Sequence, residues 1–274
     1  VFLLLPGLMT GKLGANEFMS YLENLASREL RNEQVMRLLK WAGKSTQSRV
    51  RVDSTKPMSS SDKTMQRVVA VFLILNLLRE YEFACTLSLT ESLTLALDLA
   101  RARDLSFGTN SVRDVDRIRT LESAFSLAQS LDPEFNAYFN FDCDFKLKFD
   151  LDRDPSSDLD NVRGYFRDNI LTGVDFNELL HRLEELYLDK PELETPRNEK
   201  AEFWKRWYRA WFHSFQIEPK EVTLAIGASK SLANYLYICE LMVRCKDGAA
   251  RISPEVWAGI ESRILSVPVT TQRQ

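Results

Sequence analysis

Residues 68–78 read VVAVFLILNLL, an apolar run broken only by Asn76. A helix carrying that run is apolar on every side, so it is stable only where other elements cover it all round. A bilayer would also cover it, but spanning one takes about 20 apolar residues, and this run is far shorter. The run therefore reads as a buried core helix, with further elements packed about it.

Composition favours helices for those elements. The 274 residues include 10 Gly and 9 Pro, fewer turn formers than a β-sandwich or barrel usually needs. Apolar residues make up 45%, charged residues 27% and aromatics 11%, a balance that buries a core and is too hydrophobic for a disordered chain. The length allows one large domain or two small ones. The expected fold class is mainly α, a multi-helix domain.

Periodicity places the helices. In residues 17–42, Phe18, Leu22, Leu25, Val35, Leu38, Leu39 and Trp41 recur at helical spacing with an interruption over 28–32, which predicts two short amphipathic helices. Residues 43–63 are rich in Ser, Thr and charge, and read as a loop or linker. A helix follows from Asp62 to about Glu82, and another over 111–131 with Val112, Val115, Ile118, Leu121, Phe125, Ala128 and Leu131 on one face. Helices are also expected over 162–170, 175–188, 199–216 and 230–245, with a polar turn at 153–160 and a loop at 189–198 marked by Pro191 and Pro196. Ser253-Pro254-Glu255 starts a last helix, with Ser as N-cap and Pro at the first helical position, ending near Leu265.

Two segments alternate with period two. Over 93–103 the intervening residues are largely Ala, Asp and Arg, so propensity favours a helix. Over 139–151, Phe139, Phe141, Cys143, Phe145, Leu147, Phe149 and Leu151 alternate with polar residues without a slip, and an extended or strand segment remains open beside a helix. The resulting division is a helical segment at 1–45, a linker at 46–61, a helical domain at 62–268 and a tail at 269–274.

Charge and motifs exclude more than they include. With 36 basic and 39 acidic residues the net charge is -3, so no global field attracts a nucleic acid or an anionic membrane. Four cysteines without CxxC spacing are not a disulfide framework, and they fit a reducing, cytoplasmic setting. The opening VFLLLPGLM lacks the basic region and cleavage site of a signal peptide and begins mid-element without Met, so a longer polypeptide upstream is expected. GLMTGK at 7–12 and Gly43-Lys44-Ser45 each miss positions that a phosphate loop needs. Asp150-x-Asp152-x-Asp154 opens like a calcium loop, but Pro155 replaces the turn glycine and Asn161 the closing Glu, so it reads as a solvated acidic turn. His181 and His213 have no metal-ligand spacing around them, and Cys239 and Cys245 read as small core residues. No nucleophile motif is present, although carboxylates such as Glu184 and Glu185 could meet others in space.

The richest cluster is Phe203, Trp204, Trp207, Tyr208, Trp211, Phe212 and Phe215, interleaved with Lys205, Arg206, Arg209 and His213. On a helix this makes a wide aromatic face beside a basic one. Core packing is the plainer reading. If partly exposed, Trp204, Trp207, Tyr208 and Trp211 with Arg206 and Arg209 form the candidate interaction face, and burial of all three tryptophans removes it.

Beyond these physical readings, FWKRWYRAWF (203–212), NYLYICELMVRCKDG (234–248) and ISPEVWAGIESRILSVP (252–268) resemble in their order the C-terminal end of bacterial NACHT-domain NTPases, STAND-type proteins of prokaryotic conflict systems. Tyr235, Cys245, Ser253, Glu255, Val256, Ile260, Glu261 and Pro268 sit at matching positions. VFLLLPGLM, LLKWAGKS (38–45) and LALDLARARDL (95–105) are similar to earlier parts of the same proteins, while Ala249-Ala250 replaces a second Cys that is common there. The resemblance implies a non-catalytic C-terminal helical domain that senses a trigger, holds a resting state or binds protein. It also implies an ATP/ADP-binding NACHT module upstream in the same polypeptide, no cofactor in this chain, and an unidentified trigger, expected to be a protein. A free-standing helical adaptor without a nucleotide switch is the alternative.

Overall fold

The computed structural model describes residues 12–46, 60–97, 108–132, 151–168, 171–248 and 252–267. Among them are ten helices and no strand: α1 Lys12–Glu29, α2 Glu33–Ser45, α3 Ser60–Leu97, α4 Gly108–Leu131, α5 Ser156–Asp168, α6 Phe176–Tyr187, α7 Arg197–Ser214, α8 Pro219–Val222, α9 Ile226–Gly248 and α10 Pro254–Arg263. The fold is mainly α. Of the alternating segment at 139–151, all but Leu151 lies outside the described residues, and Leu151 is in a turn.

The centre is α3. Residues 68–75 are all buried, as are Leu77 and Leu78, because α7, α4, α2, α10 and the short α8 pack around the helix. It runs beyond the expected end at Glu82. No Gly or Pro interrupts it from Ser60 to Leu97, so nothing stops the backbone ladder where the leucines begin to alternate. Of the period-two run at 93–103, residues 93–97 are thus helical, and 98–103 lie outside the described residues.

Local chemistry sets the other boundaries. Asn32 separates α1 from α2 by accepting the Gln34 and Val35 amides at 3.0 and 3.3 Å; Asp175 caps α6 through Glu178 N at 3.0 Å. Ser253 caps α10 through Val256 N at 3.3 Å, with Pro254 in the first turn. The turn expected at 153–160 is shorter, because Asp154 accepts the Ser156 amide at 3.2 Å and starts α5 there. At the end of α7 the chain closes in a Schellman arrangement: Ile217 N–H reaches Phe212 O at 3.1 Å and Gln216, at φ 53°, bonds His213 O at 2.9 Å.

One apolar core joins Met19 of α1, Leu38 of α2, Phe72 of α3, Leu121 of α4, Val162 of α5, Leu179 of α6, Trp204 of α7, Val222 of α8, Leu236 of α9 and Ile260 of α10. Helices on both sides of residues 46–61 contribute to it, with α1 lying on α9 and α2 on α3. At the end of α2, Gly173 N–H bonds Ser45 O at 2.8 Å and Thr172 Oγ1 bonds Thr46 O at 3.1 Å. A Cβ on Gly173 would stand 2.6 Å from Ser45 O, so this approach requires glycine. Among the described residues, no helix is long and apolar enough to cross a membrane.

Candidate functional site

Helix α7 is amphipathic as its spacing requires, and its aromatic face points inward. Trp207 is fully buried, Trp204 and Tyr208 are 1% exposed and Trp211 is 4% exposed. Each ring finds a partner on another element or along the helix: Tyr165 of α5 lies edge-on to Trp211 at 6.5 Å, Trp204 stacks with Tyr208 at 5.9 Å, and Tyr81 of α3 meets Phe212 at 5.6 Å. The candidate interaction face is therefore core, and the tryptophans offer no surface to a partner. Arg206 and Arg209 remain on the exposed side. Arg206 lies 3.3 Å from Asp189, and Arg209 hydrogen-bonds Tyr81.

Where this aromatic layer meets the 151–158 turn lies a half-buried polar centre. Arg153 Nη2 donates to Asp158 Oδ2 at 3.0 Å and to Tyr208 OH at 2.6 Å, while its guanidinium lies 4.4 Å over the Trp204 ring. Trp207 Nε1 donates to the same Asp158 oxygen at 2.9 Å, and Trp204 Nε1 to Leu151 O at 3.1 Å. Burial pushes the Asp158 carboxyl above its ordinary range, against the pull of Arg153 and the Trp207 donor. Burial likewise drives the Tyr208 hydroxyl well up, so it stays protonated. The centre ties the turn to α7. Sequence reasoning missed Arg153 and Asp158 because an acidic run near a helix start reads as solvated unless its long-range partner is known.

The neighbouring acids anchor lysines. Asp154 holds Lys190 Nζ at 2.9 Å, and its carboxyl falls to about 2 through that bond and the Ser156 amide. Asp152 pairs with Lys200, whose ammonium also donates to Leu193 O and whose side chain is only 6% exposed. Between the 151–155 turn, residues 190–193 and the start of α7 lies a cleft of about 240 Å³. Among the described residues, no three His, Cys, Asp or Glu side chains converge on a metal position. His181 and His213 are exposed and on different helices. Glu184 and Glu185 are also exposed, the first bound to Arg163 at 2.9 Å and the second 3.5 Å from His181. Cys239 and Cys245 are buried; burial pushes the Cys239 thiol up to about 12 and raises that of Cys245, which leaves both poor nucleophiles.

A second polar junction holds the C-terminal helix. Leu265 N–H donates to Tyr235 OH of α9 at 2.8 Å in a buried site. Thr64 Oγ1 of α3 reaches Glu261 O at 2.8 Å and Arg67 Nη2 reaches Ser262 O at 3.1 Å, so the first turns of α3 supply donors to the carbonyls at the end of α10, where Glu261 O also accepts Ile264 N–H at 3.2 Å. Arg263 forks onto Glu23 of α1, with one bond at 3.0 Å. Among the residues that carry the C-terminal resemblance, Tyr235, Ser253, Ile260 and Glu261 thus serve to form or seat α10: acceptor, cap, buried anchor and capped carbonyl. Pro268 lies outside the described residues.

Residues 179–268 match the family model NACHT C-terminal Helical domain 2. No curated protein and no solved structure matches the chain.

Proposed function

Taking as premise that residues 179–268 are a NACHT C-terminal helical domain, we propose that the chain is the non-catalytic regulatory end of a prokaryotic NACHT NTPase. In this reading the ATP/ADP-binding NACHT module lies upstream in the same polypeptide. The helical domain restrains that module in a resting state, and a trigger protein releases it in a cytoplasmic defence response. No cofactor belongs to this chain.

The observation that supports the reading is the junction of α10 with α3 and α1. The family match begins at residue 179, yet the end of α10 is fastened by Thr64, Arg67 and Glu23. In this reading a change at the C-terminal helix is passed to α1 and α3, which precede the matched residues in the chain. A trigger shifts such a switch only by binding one state more tightly than the other. Moving it from 1:99 to 99:1 takes about 5.5 kcal/mol of differential affinity.

The test uses the complete polypeptide encoded in the source genome. Nucleotide release and ATP hydrolysis are compared for the intact protein, a form lacking residues 12–267, and a charge-reversed Arg263→Glu form. Restraint predicts at least about tenfold faster turnover in the deletion, equivalent to about 1.4 kcal/mol of restraint, with the point variant between. Equal rates in all three would sink the reading, as would ATP hydrolysis by residues 1–274 alone.

A further inference from the structure

Two of the large apolar side chains most exposed among the described residues stand on one loop. Leu188 is 85% and Leu193 73% exposed, both within residues 188–196 between α6 and α7. A loop free to relax would turn such side chains against the body, because burial removes apolar surface from water. This loop is fastened instead. Asp154 holds Lys190 at 2.9 Å, Lys200 donates to the Leu193 carbonyl, and Arg206 lies 3.3 Å from Asp189. Pro191 and Pro196 restrict the backbone further. The leucines are thus held outward in advance, which lowers the entropy lost when a partner covers them.

The same loop walls the cleft of about 240 Å³, through Lys190, Pro191, Glu192 and Leu193, opposite Leu151, Phe203 and Trp204. The exposed charge around it is mainly negative. Asp152, Asp154 and Asp189 are 50%, 55% and 63% exposed, and Glu192 and Glu194 are also exposed. Lys200, Lys190 and Arg206 pair with Asp152, Asp154 and Asp189, and Arg153 is held by Asp158 and Tyr208, so the negative surplus at the loop comes from the exposed Glu192, Glu194 and Glu199 against Arg197. An incoming segment meets apolar knobs in a negative field.

We propose that the 188–196 loop and the adjoining cleft dock a partner protein through a segment that combines apolar side chains with Lys or Arg. Leu188 and Leu193 supply the apolar contact, while Glu192 and Glu194 select the charge. The assignment is independent of any upstream nucleotide switch, since it rests on this loop alone.

The test is selection of a random 12-residue peptide library on the intact chain, followed by affinity measurement of synthetic copies of the enriched peptides. Leu188→Ser/Leu193→Ser and Glu192→Lys/Glu194→Lys alter exposed positions, and their melting midpoints should match the parent. Expected are peptides rich in Lys or Arg with interspersed apolar residues, weakened at least tenfold by either double variant and weakened further by salt. Acidic or uncharged consensus peptides, failure of any peptide to enrich, or equal affinity for the serine double variant would overturn the proposal. Sedimentation with anionic phosphatidylserine vesicles that depends on both leucines would overturn it in favour of a membrane contact.

Discussion

Tyr235→Phe removes one oxygen and almost no volume, so it isolates the bond that seats the end of α10. The hydroxyl accepts Leu265 N–H at 2.8 Å, and the two residues are 2% and 0% exposed. Leu265 stands at φ 55°, a left-handed conformation that costs a leucine roughly 1–2 kcal/mol and needs such a contact to hold it. Without the oxygen the amide loses its acceptor in a dry site, at a cost of about 1–3 kcal/mol. A central value of about 2 kcal/mol lowers the melting midpoint by roughly 4–8 °C in a chain of this size. If the loss is local, it also speeds amide exchange at Leu265 by about 30-fold, since about 1.4 kcal/mol is tenfold. The same hydroxyl hydrogen-bonds Cys239, so Cys239→Ala is the control and should leave exchange at Leu265 unchanged. A midpoint within about 1 °C of the parent, with exchange at Leu265 unaltered, would refute the role assigned to Tyr235.

Three further outcomes are expected. Phe72→Ala opens a cavity beside Phe125, whose ring centroid is 5.9 Å away, and should cost about 3 kcal/mol or more in chemical denaturation; an unchanged midpoint would mean that Phe72 is not in the core. Gly173→Ala drives a methyl into the Ser45 carbonyl and should destabilise by about 1–3 kcal/mol, whereas Gly43→Ala, with nothing within 4 Å of the added carbon, should be neutral or stabilising. For pH, the Asp154 carboxyl is lowered from 3.8 to about 2. Its contribution is therefore present above its ordinary value and lost as pH falls through about 2. Asp154→Asn should flatten the acid limb of stability in that window, and less so at high salt because the pair is exposed; an acid limb identical to the parent's would show that Lys190 contributes nothing through Asp154.

The helices were readable because their causes are local. The break between α1 and α2 follows from Asn32, and the start of α10 from Ser253-Pro254, both within four residues of the atoms they satisfy. Where a local rule failed, a stronger local rule replaced it. The alternation of leucines from Leu93 has the period of a strand, yet propensity favours a helix there, and an uninterrupted ladder without Gly or Pro carries the helix through to Leu97. The aromatic face of α7 was readable as a face, with core packing the plainer reading, but the elements that cover it were not. Its cover comes from Tyr81, Tyr165 and the 151–158 turn, which are 46 or more positions away from their contacts on the helix. No window of sequence contains both sides of those contacts. Asp152 and Asp154 of the acidic turn are exposed as expected, but their partners were hidden for the same reason, since Asp152 pairs with Lys200 and Asp154 with Lys190, and the neighbouring Asp158 with Trp207.

The residues behind the family resemblance show how such a signal can be specific and still silent on chemistry. Tyr235 is needed because only a side chain of that length ending in an oxygen reaches the Leu265 amide, and Ser253 because a short hydroxyl caps Val256. Both demands come from seating α10, and any protein that seats the helix this way must meet them whatever its partner. The other half of the junction, Glu23, Thr64 and Arg67, lies outside residues 179–268. A fragment limited to the matched residues would lose the Thr64 and Arg67 donors to the Glu261 and Ser262 carbonyls, and the surfaces of α3, α1 and α4 on which α7 and α9 rest. The packing that seats α10 therefore reaches back to α1, well before the segment that matches the family model.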